Sequence, residues 1–333
     1  MKCKVCRGPA VVDVRRHNAA FCSDHFVTHV RNQVAKAIKD FKMMTPDDRL
    51  LVAVSGGKDS LAVWDVLLDL GYDATGFYLD LGIGGYSTRS KEASVQFAAK
   101  RDAKLIIRSL AEEHDYTVPE LAQLTGRVPC SGCGLNKRYE FNRAALEEGF
   151  DILVTGHNLD DEVATLFGNV LHWNVDMLGR QAPVLEERVI ESGPGARTVL
   201  VKKVKPLVRI AERETAAYAV LRGIDYIVEE CPMVEGNTQH RYKEAITLLE
   251  EQSPGTKHQM YFGFLKKAAH RFREAEDAAV VVECSRCGAP TVANDSDDPM
   301  CSFCKMKDLA ARRKADPSWR ERSRKPAPRK KSR

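Results

Sequence analysis

Residues 50–70 read LLVAVSGGKDSLAVWDVLLDL and contain the feature that most restricts the fold of this chain. Residues 50–54 are a short apolar run, which predicts a strand buried on both faces of a parallel sheet. From residue 61 onward, apolar side chains recur every three or four positions, which predicts an amphipathic helix packed back on that sheet. The six residues between them, SGGKDS, therefore lie where a strand ends and a helix begins.

This junction is predicted to bind an anion, because unpaired backbone N–H groups and the positive end of a helix dipole meet there. Gly56 and Gly57 allow positive φ and a close approach of phosphate, while Ser55 and Ser60 add hydroxyl donors. Neither the Walker A spacing nor G-x-G-x-x-G is present. Asp59 is expected to help hold magnesium, since an acidic side chain beside polyphosphate is repulsive without a cation. The alternative is that SGGKDS is an ordinary glycine-rich turn that binds no anion.

The rest of the chain predicts an α/β fold with a doubly wound parallel sheet. Strand-like and helix-like segments alternate up to DILVTGH at residues 151–157, and ligands of such sheets bind at the carboxyl ends of the strands. The helix after Gly156 has an acidic first turn, so Asp161 can reach the same phosphate edge, although acidic first turns are also ordinary capping. Residues 186–198 are expected to form a flexible loop, and residues 212–223 and 242–273 to be helical.

The net charge of +5 is concentrated at one end of the chain. Residues 312–333 contain eleven Lys or Arg and two acids, so they carry +9 and the remaining 311 residues carry −4. Such an arm either adds salt-sensitive affinity for nucleic acid or is a solubilising disordered tail. No apolar run is long enough for a membrane helix and the amino terminus lacks a signal peptide's apolar core, so a cytoplasmic protein is expected.

Ten cysteines in a chain of this kind indicate metal sites before disulfides. Their spacing gives two sets of four ligands suited to tetrahedral structural zinc, Cys3, Cys6, Cys22 and His25 at the amino end and Cys284, Cys287, Cys301 and Cys304 at the carboxyl end. His17 and His29 are near enough in sequence to replace His25. Metal-free thiols are the alternative at both sites.

Three cysteines remain, Cys130, Cys133 and Cys231. Three thiolates can hold a cubane iron–sulfur cluster on three corners and leave one iron open. A catalytic persulfide or disulfide pair, and a third zinc site completed by a His or Asp, are the other interpretations.

Taken together, these motifs resemble a known family. The residues SGGKDS at 55–60 match the S-G-G-x-D-S signature of the PP-loop ATP pyrophosphatases, which cut ATP between its α and β phosphates. With PCSGC at 129–133, TGHNLDDEVATLF at 155–167, ECP at 230–232 and the two terminal ribbons, the chain resembles the TtuA/TtcA family of tRNA 2-thiolation enzymes up to about residue 306.

The resemblance implies a sulfurtransferase that adenylates the 2-carbonyl of a tRNA uridine with ATP and replaces the oxygen by sulfur carried on a 4Fe-4S cluster. It assigns the nucleotide to Ser55, Gly56, Gly57, Asp59, Ser60, Gly156 and Asp161, and the cluster to Cys130, Cys133 and Cys231. Catalytic roles are expected for Asp59, Asp161 and Lys137, although in isolation Lys137 is more typical of a solvated surface lysine. Lys137 follows Cys133 by four residues, and a cation there can neutralise charge growing on phosphate or bound sulfur. Lys58 occupies the variable position of the signature and receives no role.

The resemblance also implies a homodimer, tRNA as substrate, a small ubiquitin-like thiocarboxylated carrier as sulfur donor, and ATP, magnesium, the cluster and two zinc ions as cofactors. The target is expected to be the T-loop uridine that becomes 5-methyl-2-thiouridine. Thiolation of the wobble uridine and a non-catalytic zinc-ribbon RNA-binding protein are the alternatives, and adenylation of an amide-forming substrate leaves the central cysteines unused.

The sequence divides into six expected segments. They are a zinc ribbon at 1–27, a linker helix at 28–48, the PP-loop catalytic domain at 49–210, a helical tRNA-facing region at 211–279, a second zinc ribbon at 280–308 and a basic disordered tail at 309–333.

Overall fold

The structure, a computed structural model, describes residues 1–193, 196–234, 238–272, 281–292, 298–316 and 318–319. Its centre is a six-stranded sheet in the order β5-β4-β3-β6-β10-β7. The strands are β3 (Leu50–Val54), β4 (Ala74–Asp80), β5 (Leu105–Ser109), β6 (Ile152–Thr155), β7 (Val184–Leu185) and β10 (Lys202–Val204). All pairings are parallel except that of β7 with β10 at the edge. The predicted doubly wound α/β fold is confirmed.

Helices cover both faces of this sheet. They are α1 (Ser23–Asp40), α2 (Lys58–Asp69), α3 (Gly84–Lys100), α4 (Leu110–His114), α5 (Val118–Thr125), α6 (Pro129–Glu147), α7 (Leu159–Leu171), α8 (Val175–Gly179), α9 (Glu212–Leu221), α10 (Thr238–Gln252), α11 (Thr256–Lys267) and α12 (Ser302–Ala315), with 3-10 turns at Arg15–His17 and Pro206–Arg209. No helix among the described residues is both long and apolar enough to cross a lipid bilayer.

The apolar core is split into two parts by the sheet. One contains Trp64 and Tyr218 together with the buried stripe of α1, and joins α1, α2, α7 and α9 to the sheet. The other contains Phe77 and Leu121, and joins α5, α6 and α12 to the opposite face. The helix that begins at Pro129 and contains Cys130 and Cys133 is therefore held between the sheet and the carboxyl-terminal ribbon.

Each terminal ribbon is a two-stranded antiparallel sheet next to a helix. At the amino end, β1 (Val12–Val14) pairs with β2 (Ala19–Phe21) and α1 follows; at the carboxyl end, β11 (Val281–Glu283) pairs with β12 (Pro290–Val292) and α12 follows. Because α12 continues to Ala315, residues 309–315 of the expected tail are helical. Residues 317 and 320–333 lie outside the described residues.

The flexible loop expected at residues 186–198 is wrong. Strands β8 (Arg188–Gly193) and β9 (Ala196–Leu200) form an antiparallel hairpin in which Val189 pairs with Val199. Runs rich in β-branched residues lie on either side of the Gly-Pro-Gly sequence and favour strands, whereas the turn residues alone favour a loop. Residues 194 and 195 lie outside the described residues.

Candidate active site

The loop between β3 and α2 is held in a tight turn by its own side chains. The Ser60 hydroxyl donates to the Gly57 carbonyl oxygen at 2.9 Å and accepts from the Ser55 backbone N–H at 3.1 Å. Gly56 has φ of +71°, and a Cβ there would lie 2.3 Å from the Ser90 carbonyl oxygen. Gly57 has φ of −87°, so the expectation of positive φ holds for Gly56 alone. The loop leaves the first N–H groups of α2 at the carboxyl edge of the sheet.

A cavity of about 360 Å³ opens at this edge, between the ends of β3, β4 and β6. A volume of this size is in the range of small-molecule sites. Six of the residues predicted for the nucleotide or its chemistry line it: Ser55, Asp59, Ser60, Lys137, Gly156 and Asp161. The strand-end placement that the parallel sheet predicts is therefore where these side chains lie.

Gly156 brings the two halves of the cavity together. A Cβ at this position would lie 2.8 Å from the carbonyl carbon of Asp59, so any side chain would push the β6–α7 junction away from the first turn of α2. As a result Asp59 and Asp161 face the same space. Burial raises the pKa of Asp59, and the charge of Asp161 raises it further, against the opposing effect of the Lys58 ammonium.

Hydrogen bonds fix the orientation of both carboxylates. Asn158 donates through Nδ2 to Asp59 Oδ1 at 3.1 Å, and the Thr215 hydroxyl donates to the same oxygen at 2.5 Å. Asn158 and Asp161 also cap α7 reciprocally: the Asp161 N–H donates to Asn158 Oδ1 at 3.1 Å, and the Asn158 N–H donates to Asp161 Oδ2 at 3.0 Å. Asp161 therefore caps α7 and also lines the cavity, so its position agrees with both the capping interpretation and the expected place at the phosphate edge.

Three charged residues that the sequence interpretation left without a role complete this group. The Lys58 ammonium lies 3.0 Å from Asp59 and 2.8 Å from Glu212, and the Lys243 ammonium lies 2.7 Å from Asp161 and 2.9 Å from Glu212. Lys58, Glu212 and Lys243 come from α2, α9 and α10, so only the folded chain brings them together. No local sequence signal identifies Glu212 or Lys243.

The donor set of this cavity fits a magnesium nucleotide. Asp59 and Asp161 provide the hard carboxylate oxygens that magnesium prefers, and the turn at Ser55–Ser60 with the start of α2 suits phosphate. The two lysines balance the carboxylates in the structure as it stands. Asp59 and Asp161 are the side chains that would hold the ion.

The central cysteines lie beside this cavity. Cys130 and Cys133 are in the first turns of α6, and the Cys130 thiol donates to the Met233 carbonyl oxygen at 3.7 Å, which places it next to the segment that contains Cys231. Burial raises the pKa of Cys130, and so do the charges of Cys133 and Cys231. The same two cysteines raise the pKa of Tyr86, after burial, and Tyr86 lines the nucleotide cavity.

The arrangement of these cysteines bears on the alternatives for them. All ten cysteines are free, so no disulfide joins Cys130 to Cys133. Within the described residues, only the two terminal sets bring three or more Cys, His, Asp or Glu ligand atoms within 4.8 Å of one another. A mononuclear zinc ion needs that closeness, whereas the ligands of a cluster bind different irons and lie further apart. Three separated thiols fit a cluster better than a third zinc ion.

The terminal ribbons bring their predicted ligands together. One set is Cys3, Cys6, Cys22 and His25, and the other is Cys284, Cys287, Cys301 and Cys304. His25 lies 3.0 Å from Cys22 through Nδ1, whereas His17 and His29 pack against each other with ring centroids 5.6 Å apart and are not in the set. Both sets have the donor chemistry of structural zinc.

The ribbons are anchored to opposite sides of the protein. Arg16 of the amino-terminal ribbon forms a buried ion pair with Glu214 and donates to the Arg209 carbonyl oxygen at 3.0 Å. In the carboxyl-terminal ribbon, Phe303 stacks on Tyr139 of α6 with ring centroids 3.8 Å apart. The second ribbon thus supports the helix that bears Cys130 and Cys133.

Comparisons with known proteins agree with this arrangement. Residues 2–27 match the family described as the N-terminal LIM domain of 2-thiouridine synthetase TtuA, and residues 27–246 match the PP-loop domain family. The chain is 47% identical to the tRNA-5-methyluridine(54) 2-sulfurtransferase of Thermus thermophilus, over 94% of this chain and 93% of that protein. It is 40% identical to the protein of the same name from Pyrococcus horikoshii, over 93% and 94% of the two chains.

A solved structure shares the fold. The U34-tRNA thiolase NcsA from Methanococcus maripaludis, described with its [4Fe-4S] cluster, superimposes with a TM-score of 0.73 at 23% identity, covering 92% of this chain and 96% of that one. The PP-loop match, the ribbon match and the full-length similarity to the two sulfurtransferases agree. The chain belongs to the TtuA family of PP-loop tRNA 2-sulfurtransferases.

Proposed function

We propose that this protein is an ATP-dependent tRNA sulfurtransferase that converts the 2-carbonyl of the methylated T-loop uridine, position 54, into a thiocarbonyl. The main support is the position of α6: Cys130 and Cys133 lie in its first turns, and Lys137, about one helical turn after Cys133, lines the nucleotide cavity. An activated base and a sulfur atom can therefore meet without a large movement of the protein. The 47% identity to a relative named for position 54 supports the choice of target.

The reaction has two steps that balance without an oxidant. The uridine O2 attacks the α-phosphorus of ATP, the bond to the bridging oxygen breaks and pyrophosphate leaves. A sulfide then attacks C2, the C2–O bond breaks and AMP departs with the oxygen. Cys130, Cys133 and Cys231 would hold a 4Fe-4S cluster, whose chemistry would be to supply that sulfide.

The chain's own residues have separate tasks in this scheme. The turn formed by Ser55, Gly56, Gly57 and Ser60 holds the pyrophosphate end of ATP, with the N-terminus of α2 behind it. Asp59 and Asp161 would hold magnesium between the phosphates. Lys137 carries no ion pair within the described residues, so its charge is available for the developing negative charge on phosphate or sulfur.

The remaining parts of the scheme are proposals from the family resemblance. Zinc would stabilise the ribbons, the helical region that contains α9, α10 and α11 would face tRNA, and a small ubiquitin-like thiocarboxylated protein would supply sulfur to a homodimer in the cytoplasm. The six-segment division of the chain is part of the same proposal.

The test uses the protein reconstituted without oxygen, with ATP, magnesium, sulfide and tRNA. Release of AMP and pyrophosphate should depend on tRNA and fall at least a hundredfold in Asp59→Asn, and mass spectrometry of digested tRNA should place sulfur at position 54. Cys130→Ala should lose iron and thiolation but keep its zinc. A colourless, fully active enzyme would refute the cluster, and tRNA binding without ATP cleavage would favour a non-catalytic RNA-binding protein.

The second candidate is the same chemistry at the wobble uridine. It is favoured by the fold shared with the U34 thiolase, although that likeness is at 23% identity and therefore concerns the fold. Nucleosides from a deletion strain, mapped to their tRNA positions, separate the two targets directly: loss of sulfur at position 34 with position 54 unchanged would select the second.

A further inference from the structure

Three cations next to the active site lack an anionic partner. Within the described residues, the side chains of Lys137, Arg138 and Lys203 make no ion pair or hydrogen bond. Lys137 and Lys203 are partly buried, and Arg138 is exposed. These three residues are called the basic cluster below. Unpaired cations that are partly withdrawn from water have lost solvation without a compensating charge, which is a cost unless an anion binds there.

Two hydrogen bonds of Asn142 join α6 to residues 199–201, and they bring the basic cluster together. Asn142 Nδ2 donates to the Val199 carbonyl oxygen at 2.9 Å, and the Val201 N–H donates to Asn142 Oδ1 at 2.9 Å. Arg138 is four residues before Asn142 on the helix, a rise of about 6 Å. Lys203 is two residues after Val201, also about 6–7 Å along the strand.

The directions of α6 and β10 place Arg138 and Lys203 close together. The helix α6 precedes β6 in a βα unit and runs against it, while β10 is parallel to β6. Moving from Asn142 back to Arg138 and moving from Val201 forward to Lys203 therefore both lead toward the carboxyl edge of the sheet. Arg138 and Lys203 arrive there together, beside Lys137, which lines the cavity.

The surroundings of the basic cluster do not neutralise it. Lys205, two residues after Lys203, is paired with Glu162 at 2.8 Å, and that carboxylate also accepts from the Tyr261 hydroxyl at 2.8 Å. Burial lowers the pKa of His157 to about 3, and the charges of Lys203, Lys205 and Lys137 lower it as well. The imidazole is thus neutral at pH 7, and Glu162 is already shared.

We propose that Arg138 and Lys203 form a phosphate-binding site for the RNA backbone next to the reacting uridine, while Lys137 extends the basic cluster to the nucleotide cavity. The inference rests on the proposed function and adds to it the contact that holds the substrate nucleotide. The phosphates of ATP are expected at the β3–α2 turn, whereas the basic cluster lies on β10 and α6, on the side of the central cysteines. A nucleotide brought to those cysteines carries a phosphate on each side. The Arg138 guanidinium can bind one in a bidentate manner, and the lysines act as point charges.

The experiment measures tRNA affinity at several salt concentrations for the full-length protein, without ATP or sulfide. Arg138→Ala and Lys203→Ala should each weaken binding about 5- to 10-fold at 0.1 M salt and reduce the slope of log K against log salt by about 1. Lys202→Ala is the matched control. It removes the same charge from the same strand, but neighbouring strand residues point to opposite faces, and Lys202 donates to the Lys42 carbonyl oxygen at 2.9 Å.

A second set of binding measurements, with magnesium ATP and no tRNA, distinguishes a site for the RNA backbone from a site for the phosphates of ATP. The proposal requires the ATP affinity of Arg138→Ala and Lys203→Ala to stay within twofold of the wild type. Unchanged tRNA affinity and salt slope with weakened ATP binding would overturn it in favour of a nucleotide subsite, and no change in either arm would also overturn it. Circular dichroism and zinc content identify a variant that has simply misfolded, and Arg138→Lys, which keeps the charge, should then retain the slope.

These outcomes are independent of the proposed function. If the wild type thiolates tRNA while the variants keep its salt slope, the basic cluster is not the RNA site and the activity stands. If the variants lose the slope but the wild type transfers no sulfur, the binding site stands and the activity fails.

Discussion

Glu212 and Lys243 form an ion pair of 2.9 Å although they lie on different helices, α9 and α10. Glu212 also binds Lys58, so one carboxylate holds both lysines that neutralise Asp59 and Asp161. Burial alone would raise the pKa of Glu212, but hydrogen bonds and charge from Lys58 and Lys243 lower it to about 2. Glu212 would therefore remain as a partner for both lysines if magnesium binds the two aspartates as proposed.

This arrangement predicts opposite magnesium requirements for two variants. In Glu212→Gln the lysines lose that partner and compete harder for Asp59 and Asp161, so the magnesium concentration for half-maximal pyrophosphate release should rise about 5-fold, which corresponds to about 1 kcal/mol. In Lys243→Gln one competitor is gone and the concentration should fall. Glu244→Gln, an exposed neighbour with the same chemical change, should match the wild type. A shift in the same direction for Glu212→Gln and Lys243→Gln would contradict this account.

The two ribbons should respond differently to loss of zinc. Cys304→Ser and Cys6→Ser should each reduce bound zinc from two equivalents to one. Only Cys304→Ser should also lower the iron bound after reconstitution. Phe303 stacks on Tyr139 of α6, and Lys307 lies 3.2 Å from Nδ1 of His114, whose Nε2 lies 2.6 Å from Glu140 of α6. Metal analysis of the purified variants checks this. Equal iron in both variants would show that α6 does not depend on the second ribbon.

Asp65 is expected to be a stability residue without a catalytic task. Asp65 is only 2% exposed. Its carboxylate accepts a hydrogen bond from the Tyr218 hydroxyl at 2.7 Å and another from Arg222 Nε at 2.8 Å. Asp65→Asn should lower the free energy of unfolding by about 2 kcal/mol, because it removes the charge that accepts from Tyr218 and Arg222 and leaves Asp69 as the arginine's remaining anionic partner.

Denaturant unfolding measures that loss as a lower midpoint at unchanged slope. The matched control is Asp225→Asn, an exposed partner of Lys100, which should cost less than about 1 kcal/mol. The KM for ATP should be unchanged in both variants. A loss at Asp65 no larger than the loss at Asp225 would mean that the buried network is not cooperative.

Lys203 gives the basic cluster a pH dependence. Burial of its ammonium lowers its pKa to about 8, with further lowering by the charges of Lys205 and Arg138 and a partial offset from Glu162. A lysine with a lowered pKa is charged below that pKa and loses its charge above it. The affinity for tRNA should therefore fall several-fold between pH 7 and pH 9.

The Lys203→Arg variant removes the titration but keeps the charge, because guanidinium does not deprotonate in this range. Its affinity for tRNA should be flat between pH 7 and pH 9 at constant salt. If the wild type and Lys203→Arg have the same pH profile, another group is responsible.

The parts of the site that could be predicted are those formed by residues close together in the sequence. The turn at 55–60, the paired ligands of each ribbon and the capped start of α7 are local, so spacing alone identifies them. The role of Lys58 could not be predicted, because its partner Glu212 is 154 residues away and no local pattern at Glu212 indicates that contact. Spacing favours His25 as the fourth ligand but leaves His17 and His29 as alternatives, and the fold of the ribbon excludes these two because they pack against each other.

The helix α6 has a mechanical consequence for the reaction. It begins with Cys130 and Cys133, carries Lys137 at the cavity wall and is joined to the strands by Asn142, so the two cysteines and the cavity wall lie on one helix. Rigid helices do not shorten, and the spacing between the two stations is set by the number of residues between them. On the proposed function, the uridine would therefore have to fit a distance between sulfur and nucleotide that this helix keeps constant.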